Sequence, residues 1–577
     1  MPTLTWVGKN KVVNHHHDVP FRVLDKQYRF DAPGEGQDSP ADNRIIRGDN
    51  LEALKSLLPE FEGKVDCIYI DPPYNTGNES WQYNDAVNDP KIKKWLGKVV
   101  GKEGEDLSRH DKWLCMVYPR LKLLHRLLAK DGVIFISIDD NELHHMRMVA
   151  DEIFGSNSFV ANIAAITNLK GRNDKKHVAA CHEYILIYAN RDFVSYGLPL
   201  SEVQRAAFKY VDQNEKKYAL RDLRKRGGPD KRVDRPNMFF PLFWNESLDK
   251  FFLERSSQDD IEILPILSDG TEGRWRWGKE KIEANLAWLH AKRPNGKRSK
   301  RWGLEHRVYL DPSISIGEDD DIENEDDEDE EDALFERTSK PKSFWLGGEF
   351  SSDAGKRMFK AILPGKKFDF PKSIDLVKRC LQMGAPKDGI ILDSFAGTGT
   401  TAHAVLKLNA EDGGTRRFIL IETLDYAETL TAERVRCAIT GYGEGKNVAP
   451  ALGGGFDFYS IGEPIFLDQE RLNESVGVDA IRRYVAYSEG VPPQYRVSQD
   501  NPYSPYLLGL NSDTAWLFHY EPNQATCLDL DFLGTLKFGS AKPGTAVIYA
   551  DRCLLSKEFM VRHNIIFKKI PRDITRF

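Results

Sequence analysis

The feature that most constrains the fold is an apolar run that ends at an acidic residue and two prolines. Val65 to Ile70 is rich in apolar and β-branched residues, which is typical of a strand buried on both faces of a parallel sheet. Asp71 follows directly, and Pro72 and Pro73 can neither continue a β-ladder nor enter a helix interior. Asp71 is therefore predicted to lie at the carboxyl edge of a sheet, where open α/β folds bind their ligands.

The residues from Asp71 to Tyr74 combine a carboxylate, backbone carbonyls that no ladder uses, and an aromatic ring. A carboxylate and a carbonyl can accept both hydrogens of an exocyclic amine, while an aromatic face stacks on the base that carries it. The pattern indicates a site for the amine of a flipped-out nucleobase. The alternative is a structural turn, with Asp71 as a cap and Tyr74 packed in the core.

Strand and helix patterns alternate around this run. Ile45 to Arg47 is a predicted strand, and Leu51 to Leu58 is a predicted helix that Asp49 or Asn50 can cap. The other predicted elements of the first 190 residues are helices at 116–128 and 142–154 and strands at 133–138, 159–166 and 183–189. This alternation predicts a doubly wound, mostly parallel α/β sheet whose last strands can run antiparallel.

A second strand and turn of the same kind occur later in the chain. Gly389 to Asp393 is a predicted strand, Ser394 to Thr401 is a glycine-rich turn, and Arg417 to Glu422 is the next strand. Such glycines let the backbone approach a ligand closely, and an acid at the tip of the second strand can accept ribose hydroxyls. The turn is neither a Gly-x-Gly-x-x-Gly motif nor a phosphate loop. A ligand with a ribose and no phosphates fits best, and S-adenosylmethionine is one.

Between residues 191 and 343 the alternation breaks down. Residues 201–310 contain 24 Lys and Arg against 17 Asp and Glu, interleaved with Trp. This composition favours contacts with a nucleic-acid backbone and stacking on bases, and the alternative is an ordinary solvated surface over core tryptophans. The candidate DNA contacts are Arg274, Arg276, Lys297, Arg298, Lys300 and Arg301.

Residues 318–332 contain thirteen acidic residues and no Lys or Arg. Such a run has almost no apolar content and predicts a disordered loop. Removing its thirteen charges from the net charge of −7 leaves an excess of six positive charges on the rest of the chain. Overall acidity therefore does not exclude a nucleic-acid partner.

Composition also predicts the surroundings of the protein. The sequence shows no apolar stretch long enough to cross a bilayer and no signal-peptide pattern. Its seven cysteines are scattered without a Cys-x-x-Cys pair, which predicts reduced thiols in a cytoplasmic protein without a structural zinc site. The adjacent histidines at 15–17 favour an exposed loop over a metal site, so no metal is expected.

The order of these motifs resembles the β-class of amino-methylating DNA methyltransferases, in which the catalytic half of the sheet precedes the cofactor half. The strings Tyr69 to Gly77, Met116 to Leu121 and Leu4 to Trp6 are similar to those of the modification subunits of type III restriction–modification systems. The resemblance is strongest over residues 45–190 and 368–430.

This resemblance implies methyl transfer from S-adenosylmethionine to adenine N6 in duplex DNA. Asp71, the carbonyl of Pro72 and Tyr74 would hold the amine, with Pro73 as the other member of the catalytic motif. The implied cofactor-binding residues are Asp49, Asn50, Lys372, Asp393, Phe395, Ala396, Gly397, Gly399, Thr400 and Glu422. Among them, Glu422 would accept the ribose hydroxyls, Asp49 the adenine amine, and Lys372 would meet the methionine carboxylate.

The implied fold is a circularly permuted Rossmann-like S-adenosylmethionine-dependent methyltransferase sheet with an inserted target-recognition domain and a small C-terminal α/β domain. The expected domains are an N-terminal extension (1–43), the catalytic half (44–190), the target-recognition domain (191–343), the cofactor-binding half (344–454) and a C-terminal assembly domain (455–577). A homodimer is expected, together with a helicase–nuclease restriction subunit or other phage-defence proteins as partners.

Three other functions remain open. Cytosine-N4 methylation uses the same amine chemistry, although by resemblance Asp at position 71, rather than Ser, favours adenine. RNA adenine methylation would be expected to need a single-stranded substrate. A non-catalytic DNA-recognition scaffold in a defence complex would bind DNA without transferring methyl groups.

Overall fold

A ten-stranded sheet lies in the larger of two compact units, which comprises Met1–Tyr196 and Lys342–Phe577. The computed structural model describes residues 3–33, 43–76, 109–171, 177–294, 301–314, 338–443, 448–467, 471–498 and 500–572. In chain order the strands are β1 (Arg22–Asp31), β2 (Arg44–Arg47), β3 (Val65–Ile70), β4 (Leu128–Ile138), β5 (Phe159–Ile166), β6 (His182–Ala189), β7 (Phe344–Trp345), β8 (Ile390–Asp393), β9 (Arg417–Glu422) and β10 (Gly455–Pro464). Across the sheet they are ordered β1-β10-β2-β9-β8-β3-β4-β6-β5-β7.

The pairing confirms the predicted fold class. Strands β10, β2, β9, β8, β3 and β4 run parallel, and β6 runs antiparallel to β4. The late strands β8 and β9 lie between β2 and β3, so that Ile391 pairs with Cys67. The strand that precedes Asp71 thus comes first in the chain but lies beside β8 in space, which is the predicted permutation.

Alternate side chains of the strands face helices on the two sides of the sheet. Ile134 shares a core with helices of the first side, whereas Val133 faces the other side. Helix Ile374–Gly384 packs there so closely that a Cβ on Gly384 would lie 2.4 Å from Val133 Cγ1. The first side carries helices Asn50–Phe61, Arg109–Leu127 and Leu143–Phe154. The other helices of this unit are Lys9–Val12, His15–Asp18, Ser352–Ile362, Thr400–Asp412, Glu433–Thr440, Val478–Ser488, Leu530–Thr535 and Lys557–Arg562.

The two outermost sequence segments contribute to the large sheet. β1 pairs antiparallel with β10, from Arg22 opposite Pro464 to Asp31 opposite Gly455, and β10 in turn pairs with β2. The boundaries expected at residues 43 and 455 are corrected accordingly, because one continuous backbone ladder joins both segments to the sheet.

The three adjacent histidines form most of the short helix His15–Asp18, not the exposed loop that their pattern predicts. The ammonium of the buried Lys55 donates to the carbonyl oxygens of His16 and His17 at 2.8 and 3.2 Å and so fixes the segment. Burial, aided by neighbouring cations, lowers the pKa of His16 to about 4.

The chain after β10 forms a smaller α/β part, as predicted. Its four-stranded sheet consists of Leu507–Leu510, Thr514–Phe518, Thr545–Ala550 and Ile565–Lys569, and a two-stranded pair is formed by Cys527–Leu528 and Arg552–Cys553. The last three strands of the larger of these sheets run parallel. All of it belongs to the same compact unit as the large sheet.

The second compact unit is Gly197–Pro341. Its strands are Leu198–Pro199, Tyr210–Val211, Lys217–Asp222, Leu242–Asn245, Lys250–Phe252, Ile261–Ile263, Leu289–Lys292, Gly303–Tyr309 and Thr338–Ser339, and its helices are Glu202–Ala206 and Lys279–Ala284. Trp244, Trp275 and Trp277 lie in its core. These three tryptophans are therefore not stacking platforms for bases, and the alternative reading of core tryptophans is correct for them.

All seven cysteines are free thiols. Within the described part of the chain, no helix combines the length and apolar character needed to cross a membrane.

Candidate active site

Three carboxyl groups meet at the carboxyl edge of the large sheet. Asp71 directly follows β3, Asp393 ends β8 and Glu422 ends β9. Because these strands are parallel neighbours, their ends bring distant parts of the chain to one place. The predicted site residues that line one pocket at this edge are Asp71, Pro72, Tyr74, Lys372, Asp393, Phe395, Ala396, Gly397 and Thr400.

Lys372 connects the polar groups on one side of the pocket. Its ammonium lies 3.2 Å from Asp71 Oδ1 and 2.7 Å from Glu183 Oε2. It also contacts the hydroxyl of Tyr74 and stands 4.6 Å from the centre of that ring. The Tyr74 hydroxyl in turn donates to Glu183 at 3.1 Å. The four side chains form one network that fixes the Asp71 carboxylate beside an aromatic ring.

The environment of Asp71 tunes its charge. Burial raises the pKa of Asp71 to about 6, while Lys372 lowers it and Glu183 raises it. Burial acts to lower the pKa of Lys372. The carboxylates of Asp71 and Glu183 outweigh this effect and raise the pKa above its ordinary value. Asp71 is thus an ionised acceptor at neutral pH and becomes protonated under mildly acidic conditions.

The turn after β8 brings bare backbone to the pocket. Gly397 and Gly399 have φ angles of 52° and 79°, a conformation that residues with side chains rarely adopt. A Cβ on Gly399 would also lie 3.1 Å from the carbonyl oxygen of Thr431. The helix that follows begins at Thr400, and its first turn lines the pocket.

Hydrogen bonds, not ion pairs, hold the two acids on this side. Asp393 accepts from the Thr401 hydroxyl at 2.5 Å and from a backbone N–H at 3.0 Å. Glu422 accepts from the N–H groups of Gly397 and Leu424 at 2.8 and 2.9 Å. Burial raises the pKa of both carboxyl groups to about 7, against the opposing effect of these hydrogen bonds.

Asp49 and Asn50 lie at the start of the helix after β2. Asp49 Oδ1 accepts from two N–H groups of the first helical turn at 2.9 and 3.2 Å, which confirms the predicted cap. The buried Asn50 donates to the carbonyl oxygen of Ser394 at 3.2 Å and so ties this helix to the turn after β8. Both residues stand next to the pocket wall rather than among the residues that line it.

Pro73, Gly399 and Glu422 likewise lie outside the set of residues that line the pocket. The Pro73 carbonyl accepts from Trp113 Nε1 at 2.6 Å. Gly399 donates its N–H to the Ala396 carbonyl at 2.8 Å. Pro72, in contrast, lines the pocket.

Glu183 is one of the site residues that sequence reasoning missed. It lies at the start of β6, which runs antiparallel to β4. The first residues of an antiparallel strand lie at the edge where its parallel neighbours end. A firm antiparallel assignment for residues 183–189 would have placed this acid beside Asp71.

The predicted DNA contacts divide into three groups. Arg274 is 1% exposed, and its Nε donates to the Pro229 carbonyl at 2.6 Å. That assignment is wrong, because the guanidinium belongs to the core beside Trp275. Arg276 is partly exposed and Arg301 is exposed. Outside the described residues lie Lys297, Arg298 and Lys300, as well as the acidic run 318–332.

The family model and the sequence relatives agree on one family. A family model described as "DNA methylase" matches residues 65–433. The Mod subunit of the type III restriction-modification enzyme EcoPI of Escherichia phage P1 is 35% identical over 446 residues, which cover 73% of this chain and 63% of that subunit. The type II methyltransferase M.KpnI of Klebsiella pneumoniae is 31% identical, over 69% of this chain and 85% of that protein. A solved structure of a DNA modification methylase from Thermus thermophilus is 13% identical, covers 73% of this chain and 99% of that one, and gives a TM-score of 0.29.

Proposed function

Because the chain belongs to the DNA methylase family whose model spans residues 65–433, we propose that it transfers a methyl group from S-adenosylmethionine to adenine N6 in duplex DNA. The observation that carries the proposal is the position of Asp71, an ionised carboxylate held beside Tyr74 in a pocket that the glycine turn also lines. Relatives named as a type III Mod subunit and a type II methyltransferase support it.

The pocket fits the cofactor. S-adenosylmethionine supplies an activated methyl group on a sulfonium cation. Asp393 and Glu422 are carboxyl groups with pKa values raised to about 7 by burial, so a neighbouring cation would favour their ionised forms. We assign the turn from Phe395 to Thr400 to the methionine part, Glu422 to the ribose, and Asp49 with Asn50 to the adenine.

Lys372 is given a different role from the expected one. Its ammonium pairs with Asp71 and Glu183, and these contacts support a role in keeping Asp71 ionised rather than in binding the methionine carboxylate. An ion pair between buried groups also restricts where the carboxylate can point.

In the proposed reaction, catalysis depends on positioning the adenine amine and on electrostatic stabilisation of the transition state. The lone pair of the adenine amine is delocalised into the ring, which makes it a poor nucleophile. Asp71 and the carbonyl of Pro72 would accept its two hydrogens, letting the nitrogen pyramidalise and direct the lone pair at the methyl carbon. As the new N–C bond forms, the old C–S bond breaks with its electron pair on sulfur, and Asp71 can accept the surplus proton. Tyr74 would stack on the flipped base and offset part of its unstacking cost of a few kcal/mol.

The unit Gly197–Pro341 is proposed as the target-recognition domain, with Arg276 and Arg301 as its remaining described candidates for phosphate contact. A homodimer and a restriction subunit with helicase and nuclease activities are proposed as partners. The name of the phage relative supports the second of these.

The test is methyl transfer from labelled S-adenosylmethionine to mixed-sequence duplex DNA, with the digest read by mass spectrometry. Asp71→Ala should abolish the product, while Asp369→Ala, which removes an exposed acid three residues before Lys372, should leave it unchanged. N6-methyladenine made by the wild type and the control alone supports the proposal. N4-methylcytosine as the product would identify a cytosine-N4 methyltransferase. Methyl transfer to single-stranded RNA alone would identify an RNA methyltransferase. DNA binding without any methyl transfer would identify a non-catalytic DNA-recognition scaffold.

A further inference from the structure

A compact cluster of two histidines and a buried glutamate lies outside the pocket. The Nδ1 atoms of His110 and His145 lie 2.6 and 2.7 Å from the two oxygens of Glu142. One ligand atom from each residue falls within 4.8 Å of the other two. Glu142 is fully buried, whereas the histidine side chains are 39% and 19% exposed. The cluster is therefore rigid at its carboxylate and open to solvent at its imidazoles.

The three residues come from two helices. His110 lies in Arg109–Leu127, Glu142 is the N-cap of Leu143–Phe154, and His145 lies in the first turn of that second helix. The Glu142 side chain accepts no hydrogen bond from the N–H groups of the helix it precedes. Its oxygens point instead at the imidazoles, so capping does not explain its position.

Asn75 supplies a fourth polar group to the same point. This residue is fully buried, has a φ of 57° and directly follows Tyr74. Its Nδ2 donates to Glu142, and also to the Arg109 carbonyl at 3.3 Å. Its Oδ1 is buried, and no described residue donates a hydrogen bond to it. Rotation of the amide would exchange Nδ2 for this oxygen at Glu142, and a cation bound between them would favour that arrangement.

We propose that His110, Glu142 and His145 bind one divalent transition-metal ion, with Asn75 Oδ1 as the fourth ligand. Two imidazoles, one carboxylate and one amide oxygen suit Zn²⁺, whose ligands lie at about 2.0–2.2 Å in a tetrahedral arrangement. The observed spacings are hydrogen-bond distances, so small outward movements of the partly exposed imidazoles make room for the ion. The bound ion ties both helices to the residue after Tyr74 and so holds the Asp71–Tyr74 segment in place.

The inference does not depend on methyl transfer, and its test is metal binding by the full chain. Protein stripped with a chelator and dialysed is titrated with Zn²⁺ by calorimetry, and its metal content is measured after desalting. The wild type should take up one equivalent. His110→Ala and His145→Ala should each weaken binding by more than about 100-fold. His144→Ala is the matched control, because the centre of this exposed imidazole lies 3.9 Å from that of His145, with the rings tilted by 45°, but it is not in the cluster.

Two further readouts keep the result clear if a variant folds poorly. Co²⁺ added to the stripped wild type should give the intense visible absorption of a tetrahedral site, and Zn²⁺ should displace it. Zn²⁺ should raise the melting temperature of the wild type and of His144→Ala, and not that of His145→Ala. A wild type that binds no Zn²⁺, or cluster variants that bind as tightly as the control, would overturn the proposal and leave a hydrogen-bonded triad.

Discussion

Two pairs of carboxyl groups, all buried except the half-buried Asp71, stand at the same sheet edge and are stabilised in opposite ways. Asp71 and Glu183 share the ammonium of Lys372, whereas Asp393 and Glu422 are held by a hydroxyl and backbone N–H groups. The pair with a cation includes the acid whose pKa is raised to about 6, and the pair without one has pKa values raised to about 7. The first arrangement provides a fixed negative charge. The second leaves room for a positive ligand.

This difference separates the chemical step from binding, and replacing Asp71 should have the largest effect. Asp71→Asn should lower kcat about 100- to 1,000-fold, since a neutral amide accepts the amine hydrogen poorly in the transition state. The KM for S-adenosylmethionine should stay within about threefold, because the loss is confined to the transition state. Single-turnover and steady-state kinetics measure both, with Asp369→Asn as the control. An unchanged kcat with a raised KM would place Asp71 in cofactor binding instead.

A change in the second pair of carboxyl groups should mainly affect the binding of S-adenosylmethionine. Glu422→Gln should raise the Kd for S-adenosylmethionine roughly 10- to 100-fold, the cost of losing a charged hydrogen-bond acceptor. Calorimetry on the free protein measures it without turnover. A matched Glu428→Gln variant in the following segment should bind as the wild type does. If Glu422→Gln binds S-adenosylmethionine as tightly as the wild type and only kcat falls, Glu422 acts in the chemical step and not in cofactor binding.

The pH profile should reveal the ion pair. With a pKa of about 6, Asp71 loses its charge below that pH, so kcat at saturating S-adenosylmethionine should fall on the acidic side as pH decreases. Lys372 lowers this pKa, and Lys372→Met should therefore move the acidic limb upward by about one unit. Methyl-transfer rates measured from pH 5 to 9 for the wild type and for Lys372→Met test this expected shift. A limb that stays in place, or moves down, would mean that Lys372 does not govern the charge of Asp71.

The smallest expected effect concerns the hydrogen bonds of the second pair. Thr401→Val keeps the shape of the side chain and removes one donor to Asp393, which should cost about 1 kcal/mol of unfolding free energy at pH 8. Urea unfolding of the full chain checks this, with Thr440→Val, on an exposed position of helix Glu433–Thr440, as the control. Equal stability of the two variants would show that the backbone N–H alone satisfies Asp393.

Local patterns predicted the parts of the site that consist of a strand and its terminator. The apolar run before Asp71 and the strand and turn around Asp393 are each encoded within about a dozen residues, so the sequence located them. Glu183 escaped because its place depends on the direction of a strand, and direction is set by neighbours far away in the chain. The partners of Lys372 escaped for the same reason.

Composition was a weaker guide than pattern. Arg274 and Trp275 look alike in a sequence whether they face DNA or a core, and the structure places both inside. His16 is buried because a lysine on another helix reaches its carbonyl, a contact that no local pattern encodes. Long-range packing, not local preference, decides such positions.

The strand order of the large sheet has a consequence for how the chain is made. β2 lies between β9 and β10, so its partners are residues 417–422 and 455–464. At about 5–20 residues per second, a ribosome needs tens of seconds to reach them, and during this time both edges of β2 remain unpaired. Open strand edges of this kind promote aggregation. Chaperone supply and translation speed should therefore limit the yield of folded protein as strongly as its final stability does.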